Sequence, residues 1–510
     1  MIGDESALRH TAPTGSLLEH SYPDKPQEAC GVFGIYSPGE AVARICFFAL
    51  YALQHRGQES AGIAVSDGQD ISLFKKMGLV SQVFDEDNLS PLQGHVAIGH
   101  VRYSTSDSSR IVSAQPLVLE SALGPFGVAH NGNLVNAAPL RSALLQRGVG
   151  LASTCDTEII VQLLAGAPGD TWEERIQHAM TRMVGAYSLT ILTRDALYVV
   201  RDPWGFRPLC IGQLNGGWVA ASESCALGTV GATFLREVDP GEIVTLGPGG
   251  LRTVTPVLSS RRALCIFEYI YFARPDSVIG GELVHKVRQG LGRELAREHP
   301  VDADLVIGIP DSATSAAIGY AHAAGVPFSE GLIKNRYIGR TFIEPNDRLR
   351  QEGVALKFNP LSQVLAGKRV VVVDDSIVRG NTSRPIVDLL RRAGASEVHM
   401  RVSSPPIQHP CFMGVDMATY DELIAHRLSV EEIGKHLNVD SLGYLSVDGM
   451  LRAVGRPKTE FCLSCFNGQY PMEELLSDST ESVLSPSAML RVDSAEEPVH
   501  SDVYGVGEKA

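Results

Sequence analysis

The chain is 510 residues long, enough for two or three domains that each bury a core. Its formal charge of −14 leaves no basic stripe for neutralising phosphates, which excludes a nucleic-acid partner. No run approaches the roughly 18–20 apolar residues of a membrane-spanning helix, and nine cysteines, an odd number, do not read as a disulfide framework. Cytoplasm is the expected compartment.

Residues 1–29 lack both periodicity and the apolar stretch of a secretory signal, and read as a disordered or removable leader. Residues 30–36 form a short apolar segment that starts at Cys30, on its own a core thiol at the head of a strand. Helical spacing over 44–53 leads into a polar, glycine-punctuated turn at 55–62 that contains Arg56. Strand-like runs around 98–101 and 126–129 each end in a polar cluster, the first carrying Arg102 and Thr105, the second His130, Asn131, Gly132 and Asn133. Taken alone, H-N-G-N is a type I′ hairpin turn. Asp156 stands where it would cap a helix over 157–164. Taken alone, Arg102 and Asp156 are solvated charges. Short strands with turn signals follow at 187–193, 197–202 and 218–222, with a rigid turn at 203–208, so antiparallel sheet should dominate this half.

Around residue 260 the pattern changes. An aromatic segment begins at Cys265, a long amphipathic helix covers 283–298, and an apolar strand at 305–309 ends in Pro310, Asp311 and Ser312 before a small-residue helix at 313–324. That alternation marks a parallel sheet. A long basic stretch with Lys334, Arg336, Arg340 and Lys357 reads as a solvated loop, of a length that in a compact domain is usually functional or disordered. Next comes R-V-V-V-V-D-D-S-I-V-R-G-N-T-S: four valines, Asp374 and Asp375, then Ser376, Arg379, Gly380, Asn381, Thr382 and Ser383 before a new helical pattern. A strand, a small-residue loop and a helix N-terminus bind anions through free amides and the helix dipole. The aspartate pair suits a ribose diol beside the phosphate, or a Mg²⁺ that a pyrophosphate brings. Cys462 and Cys465 form a C-x-x-C, by itself a zinc knuckle or a redox pair. Residues 471–510 read as a flexible acidic tail.

Two resemblances emerge from these motifs. V-V-V-D-D-S-I-V-R-G-N-T-S resembles the phosphoribosyl pyrophosphate (PRPP) loop of type I phosphoribosyltransferases, with Asn381 where that family commonly has Thr. C-G-V-F-G, Q-H-R-G-Q-E-S, G-H-V-R-Y-S-T and H-N-G-N-L resemble the glutaminase domain of N-terminal-nucleophile amidotransferases. Together they resemble the glutamine PRPP amidotransferase family. The resemblance implies an αββα sandwich over 30–262, followed by an α/β phosphoribosyltransferase domain with a mainly parallel sheet over 263–470. It implies Cys30 as nucleophile, with its α-amine freed by loss of the leader, and Asn131 and Gly132 as the oxyanion hole. Arg56, Arg102, Thr105 and Asp156 would hold glutamine, and Asp374 through Ser383 with Lys334, Arg336, Arg340 and Lys357 would hold PRPP. Ser312, Asp374 and Asp375 would lie near Mg²⁺.

The contexts of Cys265, Cys411, Cys462 and Cys465 match one by one the ligands of a [4Fe–4S] cluster found in some members, with a structural Zn²⁺ as the alternative. Cys46, Cys155, Cys210 and Cys225 have no motif and read as core thiols. The implied activity is the first step of purine synthesis: glutamine hydrolysis and amination of PRPP to 5-phosphoribosylamine, in a homotetramer or homodimer inhibited by AMP- or GMP-type nucleotides. An asparagine synthetase or hexosamine synthase would share only the first half, and a PRPP-sensing regulator would need a DNA-binding module that the sequence lacks.

Overall fold

The computed structural model describes residues 30–103, 110–255, 261–335, 357–415, 417 and 419–472. The strands of the first half are β1 (Gly31–Tyr36), β2 (Ser60–Ser66), β3 (Ile71–Met77), β4 (Val96–Arg102), β5 (Leu117–Ser121), β6 (Gly124–Leu134) and β7 (Gly185–Leu192). They continue as β8 (Leu197–Arg201), β9 (Cys210–Leu214), β10 (Gly217–Ala221), β11 (Thr233–Glu237), β12 (Ile243–Gly247) and β13 (Gly250–Val254). In β1, Phe33 and Ile35 enter one apolar cluster while Val32 and Tyr36 enter another, following the two-residue period of a strand. A strand that is apolar on both faces has to be covered on both.

The sheets satisfy that demand. One has the order β11-β9-β10-β1-β4-β2-β3, the other β13-β12-β8-β7-β6-β5, and pairs such as β1–β4 and β6–β7 are antiparallel. Val32, Ala64 and Ile98 of the first sheet meet Ala129, Val199 and Val244 in the layer between the two. Helices Val42–Ala52 and Ser224–Thr229 cover the outer face of the first sheet, and Ala137–Gln146, Asp156–Ala165 and Trp172–Met180 that of the second. The result is the expected αββα sandwich.

The second half centres on four parallel strands that lie side by side in the order Leu305–Gly308, Arg369–Asp374, Glu397–Val402 and Ser441–Tyr444. Val371 and Val373 point into one cluster, with helices Val284–Glu298, Thr314–Ala324 and Val447–Val454. Val370 and Val372 point into the other, with Ser383–Arg392 and Val430–Leu437. Burial on both faces is why the strand reads as unbroken valine rather than as an alternation.

The aromatic segment becomes a two-residue strand, Leu264–Cys265, and a π-helical turn, Glu268–Phe272. Cys265 pairs in parallel register with Cys462, and the Cys265 N–H bonds the Phe206 carbonyl of the first half at 3.0 Å. A further cluster draws Ala186, Trp204 and Phe206 from the first half and Met413, Cys462 and Met472 from the second. The two halves therefore share a core.

Candidate active sites

Antiparallel pairing brings the start of β1 beside the end of β4, so Cys30 sits next to Arg102 and Tyr103. The Cys30 thiol, half-buried, donates to the Tyr103 carbonyl at 3.6 Å. Arg102 Nη1 pairs with Glu59 at 2.6 Å and is nearly closed off from solvent. Asn131 reaches the same end from the other sheet. It is fully buried and its Nδ2 donates to Ser222 Oγ at 3.4 Å; that hydroxyl also accepts the Val32 N–H at 3.0 Å. Asn131 Oδ1 has no partner among the described residues.

The Asn131–Gly132 segment is strand interior rather than a hairpin turn, since Asn131 pairs with Ser188 and Gly132 with Tyr187. Pairing to β7 overrides the local turn signal. Gly132 is obligatory there, because a Cβ would stand 1.9 Å from the Ala186 carbonyl oxygen. Asp156 does not cap its helix. It is the first helical residue, and its carboxylate accepts the Leu134 N–H at 3.0 Å just beyond H-N-G-N. Burial would raise its pKa, but His130 and the Leu134 amide outweigh burial and hold it below the usual carboxylate range. Cys155, expected in the core, is half-buried and donates to Thr157 Oγ1 at 3.3 Å and to Asp156 Oδ1 at 3.6 Å.

Arg56 lies deeper than a residue lining an open pocket. Its Nε donates to the Cys30 carbonyl at 3.1 Å, and its terminal nitrogens pair with Glu223 at 2.5 Å and Glu268 at 2.8 Å, with all three side chains shut off from solvent. Burial alone would lower the Arg56 pKa; Glu268 and Glu223 reverse that and raise it above the ordinary value. Sequence reading missed both glutamates. A signal existed for Glu268, a lone acid inside an aromatic run, because a buried charge demands a partner. Thr105, Arg336 and Arg340 lie outside the described residues.

The second site forms at the carboxyl ends of the parallel strands, where α/β sheets open their ligand crevice. Asp374 and Asp375 are buried; the Asp375 N–H donates to Asp374 Oδ1 at 2.9 Å, Ser376 Oγ donates to Asp375 Oδ1 at 2.8 Å, and Ser312 Oγ reaches Asp375 Oδ2 from the neighbouring strand. Ser312, Asp374 and Asp375, proposed together from the sequence, are thus brought together. The loop runs on through Gly380 and Asn381 into helix Ser383–Arg392, whose cap position is Thr382. Arg379 pairs with Glu422 at 2.7 Å. Lys334 and Lys357 flank the basic stretch at the base of the antiparallel ribbon Leu332–Lys334 and Phe358–Pro360; the Lys334 ammonium bonds Asp311 at 2.6 Å, and the Lys357 ammonium stands 5.6 Å from the Phe358 ring centre.

Cys265, Cys411, Cys462 and Cys465 line one cavity of ≈ 20 Å³, walled by Phe206, Phe267 and Met413 among others. Burial raises the Cys265, Cys462 and Cys465 thiols, and each is also pushed up by neighbouring cysteines of the set. Cys411 Sγ accepts the Met413 N–H at 3.4 Å. Four thiols lining one apolar cavity fit a metal–sulfur group by donor chemistry, because a cationic centre would offset the charge of the thiolates that ligate it. Among the described residues no group of three such ligands is arranged to hold a metal ion as it stands. A larger groove of ≈ 350 Å³ opens beside His299 and Tyr444, and no residue of either site lines it.

A glutamine amidotransferase domain family matches residues 100–229, and a phosphoribosyl transferase domain family matches residues 286–405. The amidophosphoribosyltransferase of Synechococcus elongatus is 54% identical over 456 residues, spanning 88% of this chain and 92% of that protein. This chain belongs to the amidophosphoribosyltransferase family. The amidophosphoribosyltransferase of Mycobacterium tuberculosis is 48% identical over 486 residues, 92% of each chain. The solved Bacillus subtilis glutamine PRPP amidotransferase, complexed with ADP and GMP, superposes with a TM-score of 0.82 at 47% identity over 87% of this chain and 97% of that one. As an amidophosphoribosyltransferase the chain catalyses the glutamine-dependent amination of PRPP, the first committed step of purine synthesis.

Proposed function

We propose that the two steps are divided between the two sites, each with its own residues. At the first, the Cys30 thiolate attacks the glutamine side-chain amide, and Asn131 Nδ2 and the Gly132 amide receive the oxyanion of the tetrahedral adduct; its C–N bond breaks as the nitrogen takes back the thiol proton, so that ammonia leaves, and water opens the remaining thioester to glutamate and the free thiol. With the leader removed, the α-amine of Cys30, of ordinary pKa near 8, takes the thiol proton. Arg102 pairs with the substrate carboxylate, Asp156 with its ammonium, and Thr105 lines the pocket, while Arg56 acts through the Cys30 main chain. The observation that carries this reading is the meeting of Cys30, Arg102 and Asn131 at one end of the sandwich, drawn from both sheets.

At the second site ammonia, kept inside the protein, attacks C1 of PRPP and pyrophosphate departs. Asp374 and Asp375 hold the ribose hydroxyls; the loop from Ser376 through Arg379, Gly380, Asn381 and Thr382 to Ser383 holds the 5′-phosphate; and Lys334, Arg336, Arg340 and Lys357 close on the pyrophosphate. When bound beside Ser312, Asp374 and Asp375, Mg²⁺ neutralises charge building on the leaving pyrophosphate. AMP- or GMP-type nucleotides compete because they carry the same 5′-phosphate, a reading supported by the ADP and GMP in the B. subtilis complex.

Cys265, Cys411, Cys462 and Cys465, which line one cavity, would hold a [4Fe–4S] cluster as a structural group. A single Zn²⁺ is the lesser reading, since it needs four sulfurs about 2.3 Å from one point. Nine free thiols support a reducing cytoplasm, and the exposed pair Phe48 and Tyr51 supports self-association to a dimer or tetramer.

The test is Cys30→Ala assayed with both nitrogen donors. Glutamine-dependent synthesis should fall by at least about 10³-fold, as when a covalent nucleophile is removed. Synthesis with high ammonium at alkaline pH should persist. Retained glutamine use would end the nucleophile assignment.

A further inference from the structure

The cysteine-bearing segments make contacts that neither catalytic step uses. Glu268 follows Cys265 by three residues and opens the π-helical turn with its side chain wholly buried. Its oxygens take Arg56 Nη1 at 3.0 Å, Arg56 Nη2 at 2.8 Å and Arg207 Nη1 at 3.5 Å. The same Arg56 donates from Nε to the Cys30 carbonyl. A path of two directional contacts therefore runs from the second half to the main chain of the nucleophile.

A second path reaches the oxyanion strand. Asn133 Nδ2 donates to the Phe412 carbonyl at 2.9 Å, and Arg207 Nη2 donates to the Met413 carbonyl at 2.9 Å. Gly414, at φ +91°, lies against Gly132 so closely that a Cβ would stand 3.1 Å from the Gly132 carbonyl carbon. Arg207 joins the two paths, since its guanidinium touches both Glu268 and Met413. Buried charges of this kind are costly to desolvate and add little stability over apolar packing, but they fix geometry tightly.

We infer that the second half supplies positioning residues to the glutaminase site: Glu268 fixes Cys30 through Arg56, and the Phe412–Gly414 turn fixes the oxyanion strand at Gly132. The inference rests on the assignment of Cys30, Asn131 and Gly132 given above. Every reacting group of the first step lies in the first half, yet its rate depends on how the second half is seated. Because the oxyanion is absent from bound glutamine and develops only as the thiolate adds to the amide, slack in this frame lowers kcat and leaves glutamine KM nearly untouched.

The test uses the full-length protein and measures glutamate release from glutamine beside ammonia-dependent synthesis, with Asn133→Ala, Gly414→Ala and Glu268→Gln. The glutamine kcat should drop about 10- to 100-fold, as for misplacement of catalytic groups by about 1 Å, with KM within about threefold of wild type. Ammonia-dependent synthesis should be unchanged in Asn133→Ala and Gly414→Ala, and Asn133→Gln, which keeps a donor, should recover part of the lost rate. Glu268→Gln leaves two buried guanidinium groups short of charge; if it fails to fold, the other two variants carry the test. A wild-type glutamine kcat in both Asn133→Ala and Gly414→Ala overturns the inference, as does an equal loss in the glutamine and ammonia reactions. If Cys30→Ala still uses glutamine, the underlying assignment fails. If Cys30→Ala is inactive with glutamine and the two turn variants are normal, only the positioning inference fails.

Discussion

His100 sets an acid limit on the first half. It points from β4 into the layer between the sheets, fully buried, with Nε2 at 3.0 Å from the His130 carbonyl and Nδ1 without a partner among the described residues. Burial drives its pKa down to about 3, so the folded protein keeps it neutral. In the unfolded chain the ordinary value is about 6.5. Below that pH the unfolded chain binds a proton that the folded one refuses. Stability is therefore whole above pH 6.5 and falls through the window down to pH 3, by up to about 1.4 kcal/mol per pH unit. Urea midpoints at pH 7 and pH 5 should differ, and His100→Gln should shrink that difference whatever it does to stability at pH 7; an undiminished difference would rule His100 out. That Cys30 and Asn131 belong to one constellation was legible because their motifs are local, and the structure does bring them to one end of the sandwich. The partners of Arg56 lie 167 and 212 positions away, at Glu223 and Glu268, and no local pattern encodes such a pairing.

Among elements, the strand–loop–helix around Asp374 was the most legible, because burial on both faces and an anion-binding turn each leave a compact sequence mark. Observed bounds stay within about two residues of those expected: Val284–Glu298 for 283–298, Leu305–Gly308 for 305–309 and Thr314–Ala324 for 313–324. The failures have one cause. H-N-G-N lost its turn to pairing with β7, and Asp156 lost its cap to the Leu134 amide, both long-range contacts that outweigh local preference. The element also makes a prediction. Asp375 already accepts hydroxyls from Ser312 and Ser376, so its carboxylate is held in place to receive further donors. Asp374→Asn with Asp375→Asn should remove two charge-assisted contacts, each of about 1.5–3 kcal/mol. Transfer to PRPP should collapse with glutamine and with ammonia alike, unlike Cys30→Ala, which should spare the ammonia reaction. Near-normal PRPP affinity in the double variant would refute the loop assignment.

At the scale of the whole molecule, the four cysteines matter for where they converge as much as for what they bind. Their motifs marked them as one set, but sequence spacing could not show that their cavity is also walled by Phe206 of the first half. Cys462 belongs to the cluster that both halves share, and the Cys265 N–H is bonded to the Phe206 carbonyl, so a metal group there would fasten the halves as well as the second half itself. Without such a group, three of the four thiols are raised by burial and crowd one another, and the cavity is one water-sized sphere between them. Protein purified without oxygen should carry iron and acid-labile sulfide, and stoichiometric zinc without sulfide would favour the single-ion reading. Cys465→Ser removes one ligand while nearly keeping side-chain volume, so its effect reports ligation more than packing. It should lower metal content and destabilise the fold by several kcal/mol, a fraction of the roughly 10–16 kcal/mol that a structural metal can contribute. Because the cavity lies at the junction, the loss should appear as proteolytic cleavage between the halves before either core opens. A Cys465→Ser protein with full stability and wild-type resistance to protease would show that the cavity is an ordinary apolar core.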